Sequence, residues 1–237
     1  MPVIETLGRL AAVGPYFTAG LGAPPAGYRP LTELYGPALD GYVAETARRM
    51  GTARTRVAAS TAHLGIASRL WSLALGCAAL DGRVPDLAPD RVLWHLPAGG
   101  SLTLWLPDPE ARPEPGAQGL AASVLEGNLP VLDARLRAGS GLSDRILRGN
   151  SASALVGALR VLENRAPGTP YSPAALASEL LDRAGPLADT AHTWIHEPGL
   201  GTAFVRNSCC LYYQVPGGGL CGDCVLRTRP AAGGPRT

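Results

Sequence analysis

The 237-residue chain reads as a mainly helical α+β fold with a small β-hairpin or small sheet and a C-terminal cysteine-rich segment. Three observations predict it. Apolar residues recur at three- and four-residue steps over long stretches, as in helices with one buried side. A pair of short apolar runs flanks Pro-Ala-Gly-Gly, the pattern of a hairpin. Four of the five cysteines fall in "SCCLYYQVPGGGLCGDC", too short a piece to carry a core of its own.

The helical part begins after the Gly- and Pro-rich "GLGAPPAGYRP". One or two short helices are predicted between Leu31 and Met50, and a long one from Thr55 to Leu80. Along the latter, Val57, Ala58, Ala62, Ile66, Leu70, Leu73 and Cys77 share a face, which makes Cys77 a small core hydrophobe. His63 and Arg69 lie off that face, open to solvent or to a ligand. "VLWHLPAGGSLTLWLP" supplies the hairpin, with Leu102, Leu104 and Leu106 alternating against Thr103 and Trp105. The four prolines of "PDPEARPEPGAQG" mark an extended surface loop. Helices return at Leu120 to Glu126 and Val131 to Leu136, divided by Pro130, which has no N–H to continue a helix. The next starts near Ser143-Asp144 and carries Ile146, Leu147, Leu155, Leu159 and Leu162. On it Asn150 sits one turn beyond Ile146, so its amide needs partners or a cavity. Ser172-Pro173 opens a last helix with a serine N-cap and proline in the first turn, ending near Gly185-Pro186.

Composition excludes several function classes. The net charge is +2, with both signs interspersed, so the one-signed field of a nucleic-acid binder is missing. All 21 basic residues are arginine, which removes any Schiff-base, Walker or general-base lysine. No G-x-G-x-x-G follows a strand, and no flavin or haem motif is present, so direct use of a nicotinamide is not expected. The N-terminal "MPVIETLGRLAAVGPYF" does not read as a secretory signal. The most apolar run, "LWSLALGCAAL", is too short for a transmembrane segment. A cytoplasmic protein with reduced thiols is the expectation.

Reduced, clustered cysteines point to metal or redox chemistry. Adjacent Cys209 and Cys210 hold their Cα atoms about 3.8 Å apart, below the roughly 4.4 Å minimum of an ordinary disulfide. Zinc would accept four thiolates, but it usually takes two knuckles with ligands two to four residues apart. Here one half is a knuckle, Cys221 and Cys224, and the other a bare pair. A [2Fe-2S] cluster is a wider object, with two irons that each take two thiolates. Gly217, Gly218 and Gly219 allow close backbone approach, and their N–H groups would serve as donors to sulfur. Zinc and cluster both remain open on these grounds.

The arrangement C-C-x10-C-x2-C within "RNSCCLYYQVPGGGLCGDC" resembles the signature of the FhuF-like ferric siderophore reductases. The segments "SRLWSLALGCAALDGRVPDL" and "RGNSASAL" extend a looser likeness upstream. Val225 departs from the proline that members often carry after the second knuckle. The resemblance implies a [2Fe-2S] cluster on Cys209, Cys210, Cys221 and Cys224, and a mainly helical reductase-like domain over residues 1–200. It makes 201–228 the cluster-binding segment, while the low-complexity "RTRPAAGGPRT" reads by its composition as a disordered tail over 229–237. It further implies one-electron reduction of ferric iron in a siderophore, which hard oxygen donors such as hydroxamates grip far more tightly than ferrous iron. An external low-potential electron donor, a ferredoxin or a flavoprotein reductase, would then be required. A structural zinc module and an electron carrier with a protein acceptor are the alternatives.

Around the cluster, Arg206 would neutralise an anionic complex or donate to a sulfur. Tyr212 and Tyr213 would pack the loop onto the core or form a wall, and Asn150 would touch substrate or support the residues that do. "HTWIH" puts His192 and His196 one turn apart if helical, but without a third ligand they read as surface or packing residues, and Glu197 as ordinary. Asp223, lodged between the last two cysteines, would oppose reduction if it stays charged.

Overall fold

The computed structural model describes residues 2–182, 185–197, 199 and 201–228. The expected tail, 229–237, lies outside the described residues. The helices are α1 (Val3–Leu10), α2 (Leu31–Leu34), α3 (Leu39–Arg49), α4 (Thr55–Asp81), α5 (Gly116–Leu120), α6 (Leu129–Ser140), α7 (Asp144–Arg165) and α8 (Pro173–Leu181). The strands are β1 (Gly20–Leu21), β2 (Arg29–Pro30), β3 (Leu93–His95), β4 (Thr103–Leu106), β5 (Ala191–Glu197) and β6 (Gly201–Arg206). The class is therefore the expected one, mainly helical with little strand.

α4 is the axis of the molecule. Its sequence is apolar or small on nearly every side, and a helix of that kind has to be surrounded. α1, α3, α6, α7 and α8 all pack against it, α7 most extensively. By length and composition α4 would pass for a membrane span, but 72% of its apolar window is buried inside the fold, the position of a core helix. Trp71 is wholly buried in the seam with α7 and donates its indole N–H to Ser151 Oγ at 2.9 Å. Each large side chain buried this completely contributes roughly 1.5–3 kcal/mol. Small buried residues of α7 such as Ser151, whose Oγ meets Trp71, let the two helices come close.

Cys77 is buried as expected, and burial pushes its thiol well above the usual range. His63 does not face solvent. It is fully buried and shares a 2.9 Å hydrogen bond with Asp133 of α6. Arg69 is likewise tied down, donating to Leu102 O and Gly65 O and lying over the Tyr16 ring.

β3 and β4 form the expected antiparallel hairpin, with Trp94 opposite Leu104. Two unexpected edge strands complete the sheet in the order β1-β4-β3-β2, both drawn from the Gly- and Pro-rich stretch that reads as loop. β1 runs parallel to β4, and β2 antiparallel to β3. Between α5 and α6 the chain makes a π-helical turn over Ala121–Glu126. It is pinned by the buried Asn128, which takes Tyr35 O–H at 3.0 Å and donates to Leu87 O and Ser123 O. Pro130 sits in the first turn of α6, where its missing N–H costs nothing. α8 begins as expected, with Ser172 Oγ accepting from Ala175 N, but it stops at Leu181, before Gly185.

The second sheet is the hairpin β5-β6, which pairs Trp194 with Phe204 and His196 with Thr202. "HTWIH" is thus strand, not helix. His192 and His196 are spaced along it by roughly 13 Å at 3.3 Å per residue, so they do not converge on one ion. His196 instead shares a hydrogen bond with Thr202 Oγ1 and lies 3.3 Å from Glu163. β6 packs on α7 and delivers the chain to the cysteines.

Candidate metal centre

β6 ends at Arg206, and from there the backbone is held from several directions. Asn207 N–H donates to Thr190 O at 2.8 Å, and Arg145 of α7 donates to Asn207 O at 2.8 Å. Arg206 N–H donates to Asp223 O at 3.1 Å, which brings the second knuckle back alongside the first. In a regular strand Cys209 and Cys210 would point to opposite faces. The chain bends instead: Leu211 adopts a left-handed conformation (φ 69°), rare for a branched side chain, and a 3-10 turn follows over Tyr212–Gln214. Cys224 N–H closes the second knuckle on Cys221 O at 3.3 Å.

The loop is latched to the helical body at two points. Ser60 Oγ, in the second turn of α4, donates to Cys210 O at 2.8 Å, and Arg54 donates to Gln214 Oε1 at 2.8 Å. The four thiols differ in exposure. Cys210 and Cys224 are buried and Cys209 and Cys221 half-buried, and all are free of disulfides. The thiol of Cys221 donates to Cys210, which holds Cys210 well below the usual range against the opposing effect of burial, and pushes Cys221 up. Burial raises Cys209, while Leu211 N–H, 3.3 Å from its sulfur, lowers it.

The glycines do not supply the sulfur donors. Gly218 N–H donates to Val215 O, and the N–H groups that reach sulfur belong to Leu211, Tyr212, Asp223 and Cys210 itself. Tyr212 and Tyr213 lie exposed, at 40% and 47%, instead of packing the loop onto the core, and Leu220, farther along the loop, is exposed too. Val225 opens a single 3-10 turn after the second knuckle. Asp223 is nearly buried and ion-paired to Arg160 at 2.7 Å, so a cation already faces its charge.

Arg206 is 1% exposed and cannot line a surface pocket. Its Nη2 donates to Asn150 Oδ1 at 2.8 Å, to Ile146 O at 3.2 Å and to Ser208 Oγ at 3.3 Å. Asn150 in turn donates to Ser60 O and Ser60 Oγ, both at 3.0 Å. The amide on α7 thus finds its partners on α4 and on the arginine. Ser60 and Ser208 carry no signal in the sequence that would have singled them out, since both act through contacts more than 60 residues away.

Do these residues suit an iron–sulfur group? Among the described residues no three His, Cys, Asp or Glu side chains are arranged to grip one metal ion. The cysteines come instead as two pairs on two bends, a donor set suited to two irons with two thiolates each. Arg206 Nε is buried without a hydrogen-bond partner, a donor awaiting an acceptor that the described residues do not supply. The residues fit the group.

Comparison with known families agrees with this geometry. Residues 206–226 match the family model described as the FhuF 2Fe-2S C-terminal domain. The match is short, begins at Arg206 and takes in all four cysteines, which implies an iron–sulfur protein. No curated protein matches the chain.

Proposed function

We propose that the chain binds a [2Fe-2S] cluster through Cys209, Cys210, Cys221 and Cys224 and passes single electrons to ferric iron held in a siderophore. The observation that carries the reading is the pairing of the cysteines on two bends inside the matched segment, beside a buried arginine. When bound, the cluster supplies a one-electron couple whose potential responds to charge and hydrogen bonds around its sulfurs.

The chain's own residues do the rest. The Leu211 bend and the Cys221 turn present the thiolates in two pairs. Leu211, Tyr212 and Asp223 aim N–H groups at the sulfurs, and the α4–α7 seam backs the site with dry protein. An open cleft lined by Arg54, Thr55, Arg56, Val57, Leu211 and Gln214 adjoins the cysteine pair in sequence. We place the ferric complex there, where arginines suit the negative charge of oxygen-donor ligands. One electron turns Fe³⁺ into Fe²⁺, which hard oxygen donors hold far less tightly, so reduction releases the metal. The electron comes from an external low-potential protein, a ferredoxin or a flavoprotein reductase, and the setting is the cytoplasm.

A second reading, an electron carrier with a protein acceptor, draws on the exposed Tyr212, Tyr213 and Leu220, side chains suited to a protein contact. One experiment separates the two. Protein purified without oxygen is reduced, then mixed with a ferric hydroxamate and a ferrous chelator. Stoichiometric loss of the reduced spectrum with trapped ferrous iron supports the reductase. Inertness to ferric complexes, with oxidation by a protein acceptor, supports the carrier. Colourless protein that binds zinc defeats both.

A further inference from the structure

We infer that Arg206 is a buried counter-charge to the cysteine-bound centre, positioned by Asn150, and that it sets how readily that centre takes an electron. The inference rests on the cluster reading above and concerns the chain's own residues. A guanidinium does not give up its proton in proteins, and a buried charge is costly unless an anion faces it. Yet every acceptor of its Nη2 is neutral: an amide oxygen, a carbonyl and a hydroxyl. The anionic or ionisable groups in electrostatic reach are Cys210, Cys221, Asp223 and Cys209. Of these, the Asp223 carboxylate already pairs with Arg160. The sulfurs are therefore the groups whose charge balances Arg206, and its buried Nε is left without a partner among the described residues.

The position is built, not incidental. At Gly149 a Cβ would come within 2.8 Å of Arg206 Nη2 and 2.3 Å of Ser208 Oγ, so the slot exists only because that residue has no side chain. Asn150 grips the guanidinium with its oxygen and Ser60 with its nitrogen, while Ser60 holds the carbonyl of Cys210. Arginine and cysteine loop are thereby fixed to the same two side chains. Reduction adds one negative charge to the centre. A fixed cation in a low-dielectric surrounding favours that state, and removing it makes reduction harder.

The test is a potentiometric titration of full-length protein, followed by absorption and EPR, with iron and acid-labile sulfide measured on each sample. Arg206→Gln is expected to weaken reduction at least tenfold, a downward shift of about 59 mV for one electron. Arg206→Lys, which keeps the charge but loses the fork, is expected to shift less, and Asn150→Ala to shift in the same direction by less than Arg206→Gln. Fully loaded variants that all keep the wild-type potential overturn the inference while leaving the cluster reading intact. If Arg206→Gln does not fold, the other two decide: a lowered potential in Asn150→Ala supports the inference, and wild-type potentials in both overturn it. Wild-type protein that takes up neither iron nor sulfide on anaerobic reconstitution overturns the functional reading itself.

Discussion

Cys77 and Cys210 are both buried, and they sit in opposite chemical surroundings. Cys77 lies near the C-terminal end of α4 in the apolar core, and burial pushes its thiol far up. Cys210 lies in a loop where a neighbouring thiol, a backbone N–H and a guanidinium all favour the thiolate over the effect of burial. The α4–α7 seam rests on apolar packing and on hydrogen bonds such as that from Trp71 to Ser151, with Ser153 Oγ left unpartnered. The cysteine loop leaves a buried donor and four sulfurs without a complete set of partners. Burial alone therefore does not make a cysteine inert; what decides is whether the surroundings are finished without a further group.

The sharpest way to break this contrast is to remove a sulfur. Cys221→Ser is expected to abolish binding of iron and sulfide while far-UV circular dichroism stays that of the wild type; full colour in the variant would remove Cys221 from the ligand set. Alkylation of the metal-free protein comes next. The thiolate is the nucleophile, and the lowered pKa of Cys210 means that its thiolate is already formed below the pH of an ordinary cysteine, near 8.5. Mass spectrometry after iodoacetamide at neutral pH should find thiols of the cysteine loop modified and Cys77 untouched, with Cys77 reacting only on unfolding.

In the seam, Trp71→Ala should cost about 3–5 kcal/mol through the cavity it leaves, seen as a lowered denaturation midpoint. Ser60→Ala should cost less, about 1–3 kcal/mol, because it strands Cys210 O and one donor of Asn150. Its mark is local: faster hydrogen exchange in residues 208–215 with the rest of α4 unchanged. Smallest of all, Tyr213→Ala should alter stability by no more than about 0.5 kcal/mol, as exposed side chains do.

What the sequence made legible follows from range. The four cysteines and the knuckle turn are local, and so is the three- and four-residue rhythm that marks α4 and α7. β1 and β2 are two residues long and exist only because β4 and β3 lie beside them, more than 60 positions away. "HTWIH" hid a strand because both periods fit so few residues, and the partner that decides the matter, β6, follows it. His63 looked free because its partner, Asp133, is on another helix. Arg206 and Asn150 were visible as candidates, but the slot that joins them depends on Gly149, Ser60 and Ser208, none of which announces itself in one dimension.

The latch from Ser60 to Cys210 bears on how far the cysteine segment stands alone. Its bend is held by a helix 150 residues earlier in the chain and its arginine by another. Excised as a peptide, residues 201–228 would keep the ligands but lose the scaffold that aims them, so metal uptake by such a fragment would say little about the intact protein. The site belongs to the whole tertiary structure, and its assembly has to wait until α4 and α7 have met.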